Sequence, residues 1–107
     1  MYKTSEILKE VRRLQKEYPN CVYNQDTCSY SKGSCKKGPK TKGCIIGQAI
    51  RNVYPDLFEL IKRDDDTNSI ESIISSKNYE ITGSKRDIGR LEDVQNRQDQ
   101  AFEWGIC

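Results

Sequence analysis

The chain has 107 residues, 35% of them apolar and 32% charged, with a formal net charge of +2 and no histidine. That length argues for one domain with a core just large enough to fold alone, and no run approaches the ~20 apolar residues a membrane span needs. Without histidine the commonest general base is missing, and with it every Ser-His or Cys-His pair, so the chain is not expected to be an enzyme. The two halves differ in sign: residues 1–53 carry 11 Lys and Arg against 4 Asp and Glu, and residues 54–107 carry 7 against 12. Such asymmetry pairs the halves internally or offers faces of opposite sign to partners. The N-terminus has no apolar signal region and there is no Asn-x-Ser/Thr acceptor, so the chain is expected to remain in the cytoplasm.

In chain order, Ile7, Leu8, Val11, Leu14 and Tyr18 fall at helical spacing and predict a helix over residues 4–17, stopped by Tyr18-Pro19. Cys21-Val22-Tyr23 and Cys28-Ser29-Tyr30 flank Asn24-Gln25-Asp26-Thr27 and predict a small hairpin at residues 21–31. Residues 31–43 hold five lysines, three glycines, one proline and no acid, which is loop composition. Apolar spacing resumes at Cys44, Ile45, Ile46, Ala49, Ile50 and Val53 as a short buried helix. Gly47 in its middle costs about 1 kcal/mol against alanine and points to close approach of another backbone.

Pro55 suits the first turn of a third helix facing inward through Leu57, Phe58, Leu60 and Ile61. Asn68 with Glu71 resembles a capping box ahead of Ile70, Ile73 and Ile74, and residues 78–83 suit a brief strand or connector. Ser84 with Asp87 starts a last helix whose inner face is Ile88, Leu91, Val94, Gln98, Ala101 and Phe102, ending near Trp104-Gly105. The expected fold is therefore mainly α, about five short helices around one core with a small hairpin, as a single domain over residues 1–107.

The segments "GCIIGQAI" and "VQNRQDQAFEWG" resemble a set of small uncharacterised proteins of bacteria and their phages. Those carry a Cys-apolar-apolar-Gly helix start and a later Gln-x-x-Gln-Asp run followed by Trp. The matching positions are Cys44, Gly47, Gln95, Gln98, Asp99 and Trp104, about 20 residues in all. The resemblance implies a compact helical domain, a phage origin and a host-cell cytoplasm. It also suggests that Gln95, Gln98 and Asp99 are polar pins to the Cys44 helix or the hairpin backbone. Trp104, at the end of an amphipathic helix, reads as a core plug.

Several constellations bear on chemistry. Cys21, Cys28, Cys35 and Cys44 could supply four thiolates to zinc, but ligands of structural zinc sites usually come in close pairs and no histidine helps. Disulfides among them would suit a secreted domain, and buried thiols need no special role; no cofactor is expected. In the 64–69 stretch Asp64, Asp66 and Asn68 alternate as in a calcium loop, yet Ser69 and Ser75 stand where that loop needs Gly and Glu. Cys44 is the one thiol set at a helix start, and Glu92/Asp93 and Asp99/Glu103 read as a solvated face. Tyr23, Tyr30 and Lys32 could together stack and neutralise a nucleic-acid strand.

The lysine loop is the sharper candidate. Lys32, Lys36, Lys37, Lys40 and Lys42, with Arg12 and Arg13, would form a basic face for a macromolecule with an acidic surface, such as a host defence or replication protein. As an alternative, lysines beside the Cys44 helix start could hold a phosphorylated ligand or nucleotide, although "GSCKKGPK" lacks the Lys-Ser/Thr of a phosphate loop. Nucleic acid is a third partner class for the same patch.

Overall fold

The computed structural model describes residues 1–24 and 29–107. In order, it contains β1 (Tyr2–Lys3), α1 (Thr4–Glu17), β2 (Val22–Asn24), β3 (Ser34–Lys36), α2 (Ile45–Val53), α3 (Pro55–Asp64), α4 (Ile70–Ser75), β4 (Ile81–Thr82), α5 (Lys85–Asp99) and a 3-10 turn at Trp104–Ile106. The class is mainly α, with a two-stranded antiparallel sheet β2-β3 and a two-residue parallel pair β1-β4. No helix is long and apolar enough to cross a membrane among the described residues.

The centre of the molecule is α2. Nine residues would not hold a helix in water, so its stability must come from packing. All six residues from Ile45 to Ile50 are buried, and the helix lies against α1, α3 and α5. α1 meets it with Ile7, Leu8, Val11 and Leu14, the stripe that the sequence spacing predicts. α3 starts with Pro55 in its first turn and buries Leu57, Phe58 and Ile61, leaving Leu60 on the rim. Trp104 fills the end of the core with no exposed surface. Its amide donates to the Cys21 carbonyl at 2.9 Å, which returns the C-terminal segment to the exit of α1.

Gly47 explains how the chain crosses itself. The segment 29–31 lies over the first turn of α2, and the Tyr30 carbonyl oxygen occupies the place a Cβ at Gly47 would take. Gly43, at φ +118°, meets the same oxygen, and the Cys44 amide donates to the Ser29 carbonyl at 2.9 Å. Asp66, from the α3–α4 connection, fastens this segment by accepting from the hydroxyls of Ser29 and Ser31 and from the Ser31 amide.

Three local expectations need correction. The strand that pairs with Val22–Asn24 is Ser34–Lys36, in register Tyr23 to Cys35, and Ser29-Tyr30 lies outside any strand. Tyr30 is drawn into the core, so the pairing partner comes from the lysine loop instead; Cys28 lies outside the described residues. The cap of α4 is Ser69, whose hydroxyl accepts from the Ser72 amide, while Asn68 donates to Asp65. Finally, α5 stops at Asp99, so Ala101 and Phe102 do not belong to its inner face. Ala101 sits at φ +66°, with its amide on the Gln98 carbonyl (3.0 Å) and the Phe102 amide on the Arg97 carbonyl (3.1 Å). That is a left-handed helix stop of the kind glycine normally provides, and the sequence gives no glycine to announce it.

A side chain at that φ is strained, and Ala101 is exposed, so no packing depends on its methyl group. Ala101→Gly is accordingly expected to raise stability by about 0.5–1 kcal/mol, read as a higher urea midpoint at unchanged slope.

Candidate partner-binding surface

The segment 31–43, which contains β3, is tethered along its length. Tyr23, itself 5% exposed, donates from its hydroxyl to the Lys32 carbonyl at 2.7 Å. The Gly43 amide donates to the Gly33 carbonyl at 2.9 Å, closing the loop at its base. Gln48, buried in α2, donates from Nε2 to the Thr41 carbonyl at 2.6 Å and to the Gly43 carbonyl at 3.3 Å. Gly38 lies directly on the sulfurs of Cys21 and Cys35, where a Cβ would collide.

Lys32, Lys37, Lys40 and Lys42 are all exposed on this frame. None of the four has an ion-pair partner among the described residues. Lys36 belongs to β3. Like charges this close in sequence repel one another, and the tethers hold the loop backbone against that repulsion.

The two arginines expected to extend the patch are both hydrogen-bonded within α1. Arg13 is held by Glu10 at 2.7 Å and by Glu17, and these carboxylates raise its pKa while it lowers that of Glu10. Arg12 donates to Gln15 at 2.8 Å, and Gln15 in turn donates to the Trp104 carbonyl at 2.9 Å. Arg13 meets carboxylates at i−3 and i+4, a spacing that satisfies its charge within the helix, whereas Arg12 has only a neutral amide at i+3 and keeps its charge. Of the two, only Arg13 is lost to the patch; the loop remains its densest run of open lysines in sequence.

The cysteines divide between two roles. Cys21 and Cys35 form a disulfide with their Cα atoms 5.8 Å apart, joining the exit of α1 to β3. Cys44 is fully buried and caps α2, its sulfur accepting from the Gly47 amide at 3.4 Å. Cys107 is buried with its thiol toward the Phe102 and Glu103 carbonyls, and burial pushes its pKa up to about 11, so it stays protonated at neutral pH. Zinc on Cys21, Cys28, Cys35 and Cys44 does not fit this donor set: two of the sulfurs are bonded to each other, a third serves a helix cap, and Cys28 lies outside the described residues. Among the described residues no three His, Cys, Asp or Glu side chains gather closely enough to hold a metal ion.

The disulfide closes a loop with a sequence separation of 14 and is expected to contribute about 3 kcal/mol. Urea unfolding with and without a dithiol reductant measures this, and Cys35→Ser should reproduce the reduced curve. Coincident midpoints would contradict the assignment.

The start of α2 is closed. The Ile45 amide donates to Gln98 Oε1 at 2.7 Å, and the Ile45 and Ile46 side chains are wholly buried. Gln95, one turn earlier on α5, treats the start of α4 alike: its Oε1 accepts from the Ile70 amide at 2.8 Å. Gln95 Nε2 donates to the Tyr30 hydroxyl at 2.9 Å, and that hydroxyl donates to the Asn68 carbonyl at 2.6 Å. Two glutamines on one face of α5 thus supply acceptors to the first amides of α2 and α4, which the helices' own caps, Cys44 and Ser69, do not reach. Gln98 also contacts Asp99 at 3.3 Å.

This geometry corrects two sequence expectations. A phosphorylated ligand at the α2 start would have to displace the Gln98 acceptor from a site with no access. Tyr30 is fully buried and Tyr23 nearly so, so neither offers a face for stacking a base. The acids of the 64–69 stretch are likewise spoken for: Asp64 pairs with Arg63, Asp65 accepts from Tyr79 and Asn68, and Asp66 binds the two serines.

Gln15 and Gln48 were not singled out by sequence reasoning, and Asp66 entered only as a position of the rejected calcium loop, not as a tether. Gln48 had a readable signal, since a glutamine within an otherwise apolar helical run must find a partner if it is buried. Asp66 had none, because its serine partners lie 35 and 37 positions away.

A cleft of about 480 Å³ lined by Glu59, Leu60, Lys62 and Arg63 lies on α3, and a smaller one of about 160 Å³ is lined by Asn20, Val22, Lys37 and Glu103. Neither sets a nucleophile beside a base. No family model, curated protein or solved structure matches this chain.

Proposed function

We propose that the chain is a non-catalytic binding protein whose lysine loop engages an acidic surface on a macromolecular partner. The observation that carries this reading is the set of four exposed lysines, without ion-pair partners among the described residues, on a loop tethered at its base, at its middle and at its junction with α2. A pinned loop pays its ordering entropy on folding, so less is lost when a partner arrives.

An acidic protein surface is favoured over nucleic acid because the tyrosines that would stack on bases are core residues. It is favoured over a small phosphorylated ligand because the α2 start is filled by Gln98. The two resembling segments suggest a phage origin, and for a phage protein the small size and the uneven charge would suit an inhibitor of a host defence or replication component. The Cys21–Cys35 bond favours an oxidising compartment over the cytoplasmic expectation, so a partner met outside the reducing cytoplasm suits the chain better than a cytoplasmic replication component.

The test uses a short oligoglutamate and a single-stranded oligonucleotide of equal charge as probes, read by fluorescence anisotropy across salt concentrations. The Lys32→Gln, Lys37→Gln, Lys40→Gln, Lys42→Gln variant should lose about tenfold or more in oligoglutamate affinity, or 1.4 kcal/mol, with an unchanged melting temperature. Undiminished binding by that variant would refute the reading, as would a tenfold preference for the oligonucleotide.

A further inference from the structure

We infer that the lysine loop and an exposed apolar pair near the C-terminus form one composite docking surface, whose occupant is a partner-protein segment bearing a large apolar side chain beside carboxylates. This deepens the reading of the lysine loop and rests on it. Phe102 and Ile106 are 40% and 65% exposed; with Met1 they are the large apolar side chains left to solvent among the described residues.

Their segment is held firmly. The Phe102 amide is bound to the Arg97 carbonyl, Trp104 is wholly buried between them, and the Gly105 amide donates to the Pro19 carbonyl at 2.8 Å. Gly105 lies so close to Pro19 that a Cβ there would touch its ring and backbone. Apolar groups fixed in water by such a frame lose little entropy on being covered, which is how binding hot spots are built.

The 160 Å³ cleft lies between the two segments, lined by one residue of each, while Phe102 and Ile106 flank its Glu103 wall in sequence. Lys37 lines it from the loop, Glu103 lines it from the stretch between Phe102 and Ile106, and Asn20 and Val22 form its floor between α1 and β2. The Cys21–Cys35 bond fixes β3, and with it the chain entering Lys37, next to that floor. The cleft has room for one side chain. Charge then sets the occupant's polarity: its carboxylates belong on the loop side with Lys37, because Glu103 would repel them on the other. Nucleic acid fits this arrangement badly, since a phosphate chain following the lysines would meet Glu103 and leave both apolar side chains uncovered.

The experiment compares two peptides of equal charge, one oligoglutamate and one with a central leucine-tryptophan pair among glutamates, binding to the full chain. The wild-type protein should take the apolar-bearing peptide about tenfold more tightly. The variant Phe102→Ser with Ile106→Ser should reduce that preference to less than about twofold while binding plain oligoglutamate as before. Ile106 is mostly exposed and Phe102 keeps part of its ring covered, so the variant should fold with a somewhat lower melting temperature, and a single cooperative unfolding transition verifies it. Equal affinity for the two peptides, or a preference that survives in the variant, would overturn the inference while leaving the lysine-loop reading intact. Failure of plain oligoglutamate to bind at all would remove that reading instead, and this inference with it.

Discussion

Replacing Gly47 with alanine is expected to lower the unfolding free energy by about 3 kcal/mol, although alanine is the better helix former by about 1 kcal/mol. The sign is decided by what the methyl group would meet. A Cβ at this position falls on the Tyr30 carbonyl oxygen, with the Tyr30 carbonyl carbon and Cα also inside contact distance, and all three are backbone atoms that no rotamer change can move. Relief would require lifting segment 29–31 from α2. That would break the Cys44–Ser29 hydrogen bond and disturb Asp66 with its serines, and it would draw Tyr30 away from Gln95. Urea unfolding measures the loss directly, and a variant as stable as wild type would refute the crossing. Gly89 is the internal control: nothing lies within 4 Å of its Cβ position. Gly89→Ala in the middle of α5 should stabilise through helix propensity alone.

The second large effect is expected at Gln98. Truncation to alanine removes the acceptor for the Ile45 amide and leaves that donor buried without a partner, a penalty of about 1–3 kcal/mol before any cavity is counted. With the cavity, Gln98→Ala should cost about 3 kcal/mol. Gln98→Glu keeps an acceptor for Ile45 but buries a charge beside Asp99, so it should not rescue. Chemical unfolding separates the outcomes, and amide exchange at Ile45 gives the local signature. If Gln98→Ala accelerates exchange at Ile45 no more than elsewhere, the long-range cap is wrong.

These two positions also show which parts of the molecule could be read from sequence. The bounds of α1, the proline entry to α3 and the Ser84 cap of α5 rest on neighbours within one or two turns, and they stand in the structure where local spacing puts them. Gly47 was legible as a close approach, but the identity of the approaching chain was not. Tyr30 lies 17 positions away, and its own surroundings suggested a strand. The end of α5 was missed because alanine occupies the position where glycine would have signalled a stop.

The candidate surface was legible as composition, in a run of lysines without an acid. What the composition lacked was the distinction between open and satisfied charges. Arg13 looks like a loop lysine in a count of charges, yet Glu10 and Glu17 take it up across one turn of helix. The cysteine pairing was likewise open among several choices. It follows from the register of β2 on β3, which sets Cys35 opposite Tyr23 and within reach of Cys21.

The claim that the lysine loop is the contact surface is tested most directly by backbone amide NMR during titration with oligoglutamate. The account predicts that shift changes centre on Lys32, Lys37, Lys40 and Lys42 and fade with added salt. Shift changes centred on Lys62 and Arg63, or on Lys85, Arg86 and Arg90, with the loop unmoved, would contradict it.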